Sequence, residues 1–453
     1  NGGDFSAALY GLVDVSNKYA VNALVNVDHM LIIMASLFIG GLMGVITANG
    51  SMQSVVNLIL NKTKNVKQVQ LATVGMGVII FFDDYANSLV TGNAMRPVTD
   101  RMKVSREKLA YIVDSTAAPI ASVAVISLWI GYLVSLIESS IVSIDALTQP
   151  YAIFIESLAY SFYPFLAVIF VVMVIISAKD FGPMLEAERR AAAGDVKGNA
   201  PYKDFVIDKN LVQAPAFIDI FPIVVLISTV ILGILLTGSG DSLQEIIGSS
   251  NSLAALTLGG FFSSIIAISF TLLGKTLTIS QVIESWISGV NTVTGAVIVL
   301  VLSWSLAAVT TEMGSAQYLI SMLGDSFSPV ILPSIVFILS GVIALGTGTS
   351  WGAMAILMPL VIPLSWSLIS ISGANIESID IHILYASIAA VLAGAVWGDH
   401  CSPISDTTIL ASMASQCDHI AHVRTQMPYA LVVGFTAFIG TLAAGFGLSW
   451  WLV

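Results

Sequence analysis

Residues 81–119 read FFDDYANSLVTGNAMRPVTDRMKVSREKLAYIVDSTAAP, and this stretch decides the class of fold. Asp83 and Asp84 come directly after an apolar run, and Asp114 comes early in the next one. A carboxylate in hydrocarbon is costly, so acids at such depth face the protein interior or a water-filled cavity. Acids in this setting are typical of an ion or proton pathway inside a membrane protein.

The composition of the whole chain indicates an all-α polytopic membrane protein. The 453 residues are 56% hydrophobic and 10% charged, with a mean hydropathy of +0.91, and apolar runs long enough to span a bilayer recur from Met30 onward. The longest polar connection, Lys179 to Ala214, is mostly charged or rich in Gly and Ala. Since no such connection buries a soluble core, we expect neither an enzyme nor a nucleic-acid-binding protein.

The basic residues predict the orientation of the chain. Most of the 17 Lys and Arg residues fall within residues 62–67, 96–108 and 179–209, which the positive-inside rule places in the cytoplasm. Val69 to Met95 lies between the first two clusters and is too short for two spans of about 20 residues each. We therefore expect a re-entrant hairpin whose tip, at FFDDYANS, lies inside the membrane.

Two further runs are expected to contain broken helices near mid-membrane. Met30 to Leu60 is longer than one span requires, and its middle is weakened by Gly40, Gly41, Gly44 and Gly50 together with Thr47 and Asn49. Ala110 to Leu136 should break at DSTAAP, because Pro119 removes a backbone donor. The carbonyls freed there are candidate cation ligands.

The second half of the sequence repeats this pattern. Pro329 to Ile371 is interrupted by GTGTSWG, and Val391 to Met413 contains GAVWGDHCSPISDTT, which we interpret as a second acidic hairpin. The remaining runs are residues 1–28 (short or broken), 151–178, 217–237 and 253–273 (single spans), 287–324 (two tight spans, or a span and a half-helix) and 427–453 (the last span).

Comparison of the chain with itself supports an internal repeat. One offset pairs Gly41 with Gly341, and another pairs Asp84 with Asp399. Each half has a short segment with an acid, then a Gly-rich interrupted run, then an acidic hairpin, a pattern that points to a site at a repeat interface. We predict two inverted-topology repeats, residues 1–178 and 215–453, joined by a cytoplasmic linker, 179–214, with the hairpin tips meeting near the midplane.

Carboxylates at membrane depth are the main candidate ligands for a cation or a proton. Neighbouring unpaired carboxylates bind protons more tightly, so a hard cation and a proton would compete for them, and exchange follows from that competition. Helix capping is the alternative role for Asp114 and Asp406. The candidate acids are Asp83, Asp84, Asp114, Glu312, Asp399 and Asp406.

Neutral oxygens at the breaks would complete a site for Na+ or Li+, although each hydroxyl could instead bond a neighbouring helix. We place Na+ at Asp84, Asp399 and Thr347. The other neutral candidates are Asn87, Ser88, Thr91, Thr349, Ser350, Ser402, Ser405 and Thr407. His400 is either a pH sensor or an interfacial hydrogen-bonding group. The sequence has no Cys/His cluster with transition-metal spacing, so we expect no cofactor besides the transported Na+ and H+.

Three strings carry a family resemblance: FFDDYANSLVTGNAMRPVTDR, GTGTSWGAM and GDHCSPISDTTILAS. Through them the sequence resembles the NhaC-type Na+/H+ antiporter family of the ion transporter superfamily, over nearly the whole chain. The resemblance implies inverted repeats, discontinuous helices, re-entrant hairpins, often a homodimer, and additional helix before Asn1. It also implies that the site is lined by Asp84, Asp399, Ser402, Asp406 and Thr407.

The leading hypothesis is therefore a multi-pass secondary-active antiporter of the bacterial inner membrane that exchanges Na+ or Li+ for protons. The alternative is Na+- or H+-coupled transport of an organic solute, since the resembled family includes exchangers of malate and lactate and has relatives that move amino acids. With no Lys or Arg in the apolar segments, such a solute would be cationic or zwitterionic, or be held by half-helix dipoles and hydroxyls. Tyr85 and Trp351 would suit it. A passive channel is a third, less favoured hypothesis.

Overall fold

The computed structural model describes residues 15–50, 65–81, 83–125, 127–142, 144, 147, 149–198, 215, 217–240, 246, 250–313, 318, 328–371 and 380–448. Within these ranges the chain is helical and forms no strand. Seven helices are long and apolar enough to cross a membrane, and one bent pair would make an eighth. The predicted all-α polytopic fold is confirmed.

In the residues described up to 198, the chain forms nine α-helices. A π-helical turn (Val15–Ala20) leads into α1 (Val21–Val25), α2 (Val27–Ala48), α3 (Val66–Ile79), α4 (Asp84–Arg101), α5 (Arg106–Val123), α6 (Leu128–Ile141), α7 (Pro150–Leu158), α8 (Phe162–Ser177) and α9 (Gly182–Ala192). Helices α7 and α8 meet at an angle of 41°, so the span predicted at 151–178 is bent.

The second part forms eight more helices in the described ranges. They are α10 (Phe217–Thr237), α11 (Ser252–Leu273), α12 (Ile279–Glu312), α13 (Leu332–Thr347), which follows a 3-10 turn (Pro329–Ile331), α14 (Ser350–Ile371), α15 (Ile381–Cys401), α16 (Asp406–Ser415) and α17 (His419–Gly445). The two single spans predicted at 217–237 and 253–273 are confirmed. The ambiguous run that began at residue 287 is one 34-residue helix, α12, as far as Glu312, and most of 314–324 is outside the described ranges.

The predicted break lies at the C-terminal end of the predicted stretch, because α2 runs through Gly40, Gly41 and Gly44 and ends at Ala48, before Asn49 and Gly50, which has φ +76°. A Cβ at position 44 would lie 2.0 Å from the carbonyl oxygen of Ser285, and one at Gly289 would lie 2.1 Å from the carbonyl oxygen of Gly40. Small residues let two helix backbones approach closely in a membrane protein. These glycines therefore serve the crossing of α2 and α12. Helix α2 ends at Ala48, and residues 51–60 of this run lie outside the described ranges.

Pro119 does not break its helix either, since α5 continues to Val123 and α6 begins after the N-cap Ser127. A proline removes one helical hydrogen bond, and α5 is buried along nearly its whole length, where packing compensates for that loss. The carbonyl of Thr116, a predicted cation ligand, accepts a hydrogen bond from Asn87 Nδ2 at 2.9 Å. The interruption lies at residues 124–127, one turn later than predicted.

Helices α3 and α4 form the hairpin that the basic clusters predicted. Lys67 Nζ, at the start of α3, donates to the carbonyl of Ile176 near the end of α8 at 2.7 Å. At the end of α4, Asp100 pairs with Arg106 at 2.9 Å, and the next residues of α5 include Lys108, which pairs with Asp180 just after α8. Both ends of the hairpin therefore lie at the same end of the molecule. Its depth in a bilayer stays a prediction.

The second hairpin is α13–α14, not the predicted segment at 391–413. Helix α15 begins beside the end of α17, where His382 Nε2 lies 3.3 Å from the carbonyl oxygen of Gly445. Helix α16 ends beside the start of α17, where Ser412 Oγ lies 3.1 Å from His419 Nδ1. Helices α15 and α16 thus run in one direction along α17, as one interrupted span.

Helices α13 and α14, in contrast, double back on each other. The 3-10 turn that precedes α13 also contacts α14. Since Ser350 follows Thr347 at the far end of α13, that contact must come from the distal part of α14. Gly348, at φ +70°, makes the reversal, and a Cβ there would lie 2.4 Å from the carbonyl oxygen of Ile404. Each half therefore contains a hairpin followed by an interrupted span, and the inverted repeat itself stays a prediction.

The first part of the predicted linker is folded against the helices. Met184, Ala187 and Ala191 of α9 are buried. Arg190 pairs with Glu107 at 2.8 Å, and Ser105 N donates to Glu188 Oε1 at 2.8 Å. Helix α9 thus holds the N-terminal end of α5. The boundaries of the two predicted halves and the cytoplasmic position of the linker stay predictions.

Candidate functional site

Asp399, near the end of α15, lies where the interruption of α15–α16 meets the α13–α14 reversal. It is 1% exposed. Its Oδ2 accepts hydrogen bonds from Ser350 Oγ at 2.8 Å and Thr407 Oγ1 at 3.5 Å. Its Oδ1 has no hydrogen-bond partner among the described residues. A buried carboxylate oxygen in that state is costly to keep charged unless a cation or proton joins it.

Asp406, in the first turn of α16, connects this region to the first hairpin. Its Oδ1 accepts from Thr407 N at 2.8 Å, and its Oδ2 accepts from the Tyr85 hydroxyl at 2.5 Å. The N-cap is Ser405, which accepts from Thr408 N at 3.2 Å. A carboxylate in the first turn also interacts favourably with the helix dipole. Ser405, rather than Asp406, is therefore the N-cap that the alternative proposed, and Asp406 bonds the first turn of α16 and Tyr85 of α4.

Asp114 is fully buried in the interior of α5, so the capping alternative is wrong for this residue. Its Oδ2 accepts from Thr408 Oγ1 at 2.8 Å and from Gln426 Nε2 at 2.6 Å. Its Oδ1 has no hydrogen-bond partner in the described ranges, and His400 Nε2 lies 4.0 Å away. Asp114 thus links α5 with α15, α16 and α17.

Asp83 and Asp84 are buried at the start of α4. Asp83 lines a cavity of about 400 Å3 between α2, α4 and α12, together with Thr47, Tyr85, Glu284 and others. Tyr85 is common to this cavity and to the contact with Asp406. The structure therefore places an acidic, hydroxyl-bearing cavity directly beside the region of Asp399 and Asp406.

Some polar side chains of the first hairpin hydrogen-bond to the protein itself, whereas one has no hydrogen-bond partner in the described ranges. Asn87 Nδ2 donates to the carbonyls of Gly77, Ile80 and Thr116 at 2.7–3.2 Å, and Thr91 donates to Asn87 Oδ1 at 3.2 Å. These two side chains close the hairpin. Ser88 Oγ, in contrast, is buried without a hydrogen-bond partner among the described residues, so it remains available to a ligand.

Other side chains predicted as cation ligands form hydrogen bonds with other groups of the protein. Ser402 Oγ donates to the carbonyl of Leu345 at 2.9 Å, and Ser405 Oγ lies 3.1 Å from Thr407 Oγ1. Thr347 is exposed and donates to the carbonyl of Ile343 in its own helix at 2.9 Å. Thr349 is only partly buried. Thr347 is therefore not brought into the buried region where Na+ was placed.

Glu312 is also separate from the other acids. Its side chain is 54% exposed and pairs with Lys18 at 2.7 Å, and the Tyr19 hydroxyl donates to it at 2.8 Å. The prediction that Glu312 is unpaired is wrong, because Lys18 comes before the apolar runs that lack Lys and Arg. In the ranges that the structure describes, no Lys or Arg forms an ion pair with Asp114, Asp399 or Asp406.

His400, predicted as a pH sensor or an interfacial hydrogen-bonding group, is buried, and its Nδ1 lies 2.9 Å from the Tyr163 hydroxyl. Gln426 and His422, which lie in the same region, were not predicted. Gln426 Nε2 donates to the carbonyl of His400 at 3.0 Å as well as to Asp114. The available signal was the spacing of His422 and Gln426, which places both on one face of the last span. No group of three or more His, Cys, Asp or Glu side chains converges as a metal site in the described part of the chain.

Comparison with known proteins agrees with this architecture. The model of the Na+/H+ antiporter family matches residues 123–446. The chain belongs to the Na+/H+ antiporter family. The match covers the α13–α14 hairpin and the Asp399 region of this family member, and the resemblance inferred from its motifs is confirmed.

This antiporter-family chain is similar to several individual proteins along different shares of its length. An uncharacterized protein of Haemophilus influenzae is 32% identical over 437 residues, which are 93% of this chain and 80% of that protein. The arginine/ornithine antiporter ArcD of Halobacterium salinarum is 30% identical over 141 residues, 31% of this chain and 26% of that protein. The YdaH transporter of Alcanivorax borkumensis has a TM-score of 0.66 over 99% of this chain and 91% of its own, at 14% identity, so the fold is what the two share.

Proposed function

We propose that this antiporter-family protein exchanges Na+ for protons and that Asp399 is the carboxylate for which the two compete. The observation that carries the proposal is the buried Asp399 itself, with one oxygen bonded to Ser350 and the other without a partner. Thr407 and Ser350 place two neutral oxygens beside it. A proton or a hard cation on the second oxygen would each neutralise the buried charge, and loading one expels the other.

The other acids have supporting roles in this proposal. Asp406 and Asp84, from the interrupted span and the first hairpin, add negative potential around Tyr85, and Asp114 does so from α5. Acids near one another disfavour full ionisation, so protons and Na+ enter this region by exchange. We extend the proposal to a bacterial inner-membrane location and to a homodimer, as the family resemblance implies.

Reconstituted protein tests the proposal. Proteoliposomes with an internal pH dye should show a Na+-dependent pH change, and Asp399→Asn should abolish it. The matched control is Asp380→Asn, which alters an exposed aspartate at the opposite end of the same helix, where the side chain makes no capping bond. Wild-type rates in Asp399→Asn, at equal protein incorporation, would refute the role of Asp399.

The cavity beside Asp83 favours a second candidate function, exchange of a cationic or zwitterionic organic solute. Its volume of about 400 Å3 is in the range of small-molecule sites and far exceeds what a bare Na+ requires. Asp83 and Glu284 suit an ammonium group, and of the described residues that line it none is Lys or Arg. This lining opposes an anion such as malate or lactate, whereas the relative ArcD is named for cationic amino acids.

Uptake of labelled solutes separates the two functions. Under the second function, proteoliposomes should accumulate labelled arginine or ornithine but not malate, and Glu284→Gln should weaken that uptake. Gln281→Glu makes the opposite change in charge, one turn away on α12 and outside the cavity, as a control. Na+-dependent proton flux with no uptake of any tested amino acid would exclude the tested solutes and favour Na+/H+ exchange.

A further inference from the structure

A chain of hydrogen bonds connects the surface to Asp114 along α16 and α17. His419 Nδ1 lies 3.1 Å from Ser412 Oγ, which lies 2.8 Å from His422 Nδ1. His422 Nε2 lies 3.0 Å from Gln426 Oε1, and Gln426 Nε2 donates to Asp114 Oδ2 at 2.6 Å. His419 is half-buried, whereas His422 and Gln426 are fully buried. The chain thus begins where protons can enter and ends at a buried carboxylate.

The contacts of Gln426 fix the tautomer of His422. Gln426 Nε2 lies within hydrogen-bond distance of the His400 carbonyl, which can only accept, so the amide nitrogen must face that group. The amide oxygen then faces His422 Nε2. His422 Nε2 therefore carries a hydrogen, and any further proton must bind Nδ1.

The hydroxyl of Ser412 accommodates either protonation state of His422. It has one hydrogen and three acceptors in reach, the Thr408 carbonyl at 2.7 Å and the Nδ1 atoms of His422 and His419. With His422 neutral, the hydroxyl donates to His422 Nδ1. With His422 protonated, Nδ1–H donates to Ser412 Oγ, and the hydroxyl turns to the Thr408 carbonyl. Neither state leaves a buried polar group of His422 unsatisfied, which would otherwise cost free energy.

We propose that His422 is a proton-binding residue of the exchange cycle, loaded from the surface through His419 and Ser412. His419 Nε2 lies 2.7 Å from the Pro403 carbonyl, so that nitrogen carries a hydrogen and an incoming proton binds Nδ1. That proton passes to Ser412 Oγ while the serine hydrogen passes to His422 Nδ1. One N–H bond breaks, one forms, and one positive charge moves from His419 to His422.

The charge stops at His422, because an amide does not pass on a proton as a hydroxyl does. Gln426 instead holds His422 at a fixed distance from Asp114. A positive His422 opposes binding of another cation near Asp114, so a proton here competes with Na+ without occupying the same carboxylate. This inference rests on the proposed exchange of Na+ for protons.

The surroundings of His422 contain few other titratable groups. Asp114 faces it from α5, His400 from α15 with Tyr163 of α8 behind it, and His419 from its own helix. Helix α16 contributes hydroxyls. Helices α9 and α13 contact α17 farther along, near Tyr429 and Gly445. Asp114 is therefore the acid that would respond to the charge of His422.

Histidine-selective labelling and NMR of the full chain test the proton site directly. The signal that disappears in His422→Gln should shift as the pH is lowered while the protein stays folded, and in Ser412→Ala it should exchange protons more slowly. His382→Gln is the matched control, since His382 lies beside Gly445, at the far end of α17 from His422. A His422 signal that does not change with pH in the folded protein would overturn the inference, whether or not the protein exchanges Na+.

Transport provides the second measurement. Na+-dependent proton flux in His422→Gln should have its half-maximal pH displaced by about one unit or more relative to wild type and to His382→Gln. Absence of Na+-dependent flux in wild-type protein would refute the proposed function, not the proton site. Wild-type flux together with an unchanged pH profile in His422→Gln would refute the role of His422 in exchange.

Discussion

Asp399 shows how a single buried carboxylate can be kept ready for a small cation. The hydroxyl of Ser350 bonds one of its oxygens, and the second oxygen has no partner among the described residues. A full set of hydrogen-bond donors would stabilise the Asp399 carboxylate without a cation. A Lys or Arg partner would take the place of Na+. The partial set that is present leaves the charge incompletely compensated, so binding of Na+ or a proton is favourable.

Ser350→Ala should weaken Na+ binding without abolishing exchange. The variant removes a neutral oxygen that we place beside the bound Na+, and the loss of a polar contact to a charged group costs about 1.5–3 kcal/mol, so we expect the KM for Na+ to rise by roughly ten- to a hundredfold. The measurement is the Na+ dependence of proton flux in proteoliposomes. Ser370→Ala, at an exposed serine of the same helix that bonds the Trp366 carbonyl, should leave KM unchanged. An equal KM in both variants would contradict the role of Ser350.

Glycines and prolines have different roles in different helices of this protein. The glycines of α2 permit its backbone to contact that of α12. Gly348, in contrast, makes the reversal between α13 and α14. Pro119 lies within a continuous helix. The sequence shows that each residue weakens a helix, but whether the helix breaks depends on the neighbour that packs against it, and that neighbour is distant in sequence.

Gly44→Ala should destabilise the protein through the crossing of α2 and α12. The added Cβ would lie 2.0 Å from the Ser285 carbonyl oxygen and 2.8 Å from Gly289 N, and backbone atoms cannot move aside as a side chain can. Overpacking of this kind costs about 1–3 kcal/mol. The measurement is the Tm in detergent. Gly75→Ala, in α3 with nothing within 4 Å of the added atom, should leave Tm unchanged or slightly raised. Equal Tm values would contradict the crossing.

The whole molecule brings three interruptions of the chain toward one region, together with the interior of α5. Tyr85 at the start of α4, Ser350 at the start of α14 and Thr407 of α16 all contact Asp399 or Asp406. Asp114, on α5, contacts α16 through Thr408. Two hairpins and two interrupted spans therefore meet, and the unit that takes part in exchange is this assembly rather than any one motif.

Cysteine labelling can test whether the two hairpins enter the membrane from opposite sides. We expect Lys179→Cys, which follows α8, to react with a membrane-impermeant maleimide only from the cytoplasmic side. Asp380→Cys, which precedes α15, should react only from the other side. Both positions are exposed, and the two native cysteines, Cys401 and Cys417, are buried, so background labelling should be low. Labelling of both positions from the same side would contradict the predicted inversion.

The sequence established the all-α membrane fold, the first hairpin and the two acidic regions, because hydropathy, loop charge and buried carboxylates act locally along the chain. Only the tertiary structure decided which break forms a hairpin. It made the Asp399 segment an interrupted span and α13–α14 the second hairpin. It also placed Glu312 on the surface with Lys18, and His422 inside, beside Gln426. These outcomes depend on contacts between residues that are far apart in the chain, and no local pattern encodes them.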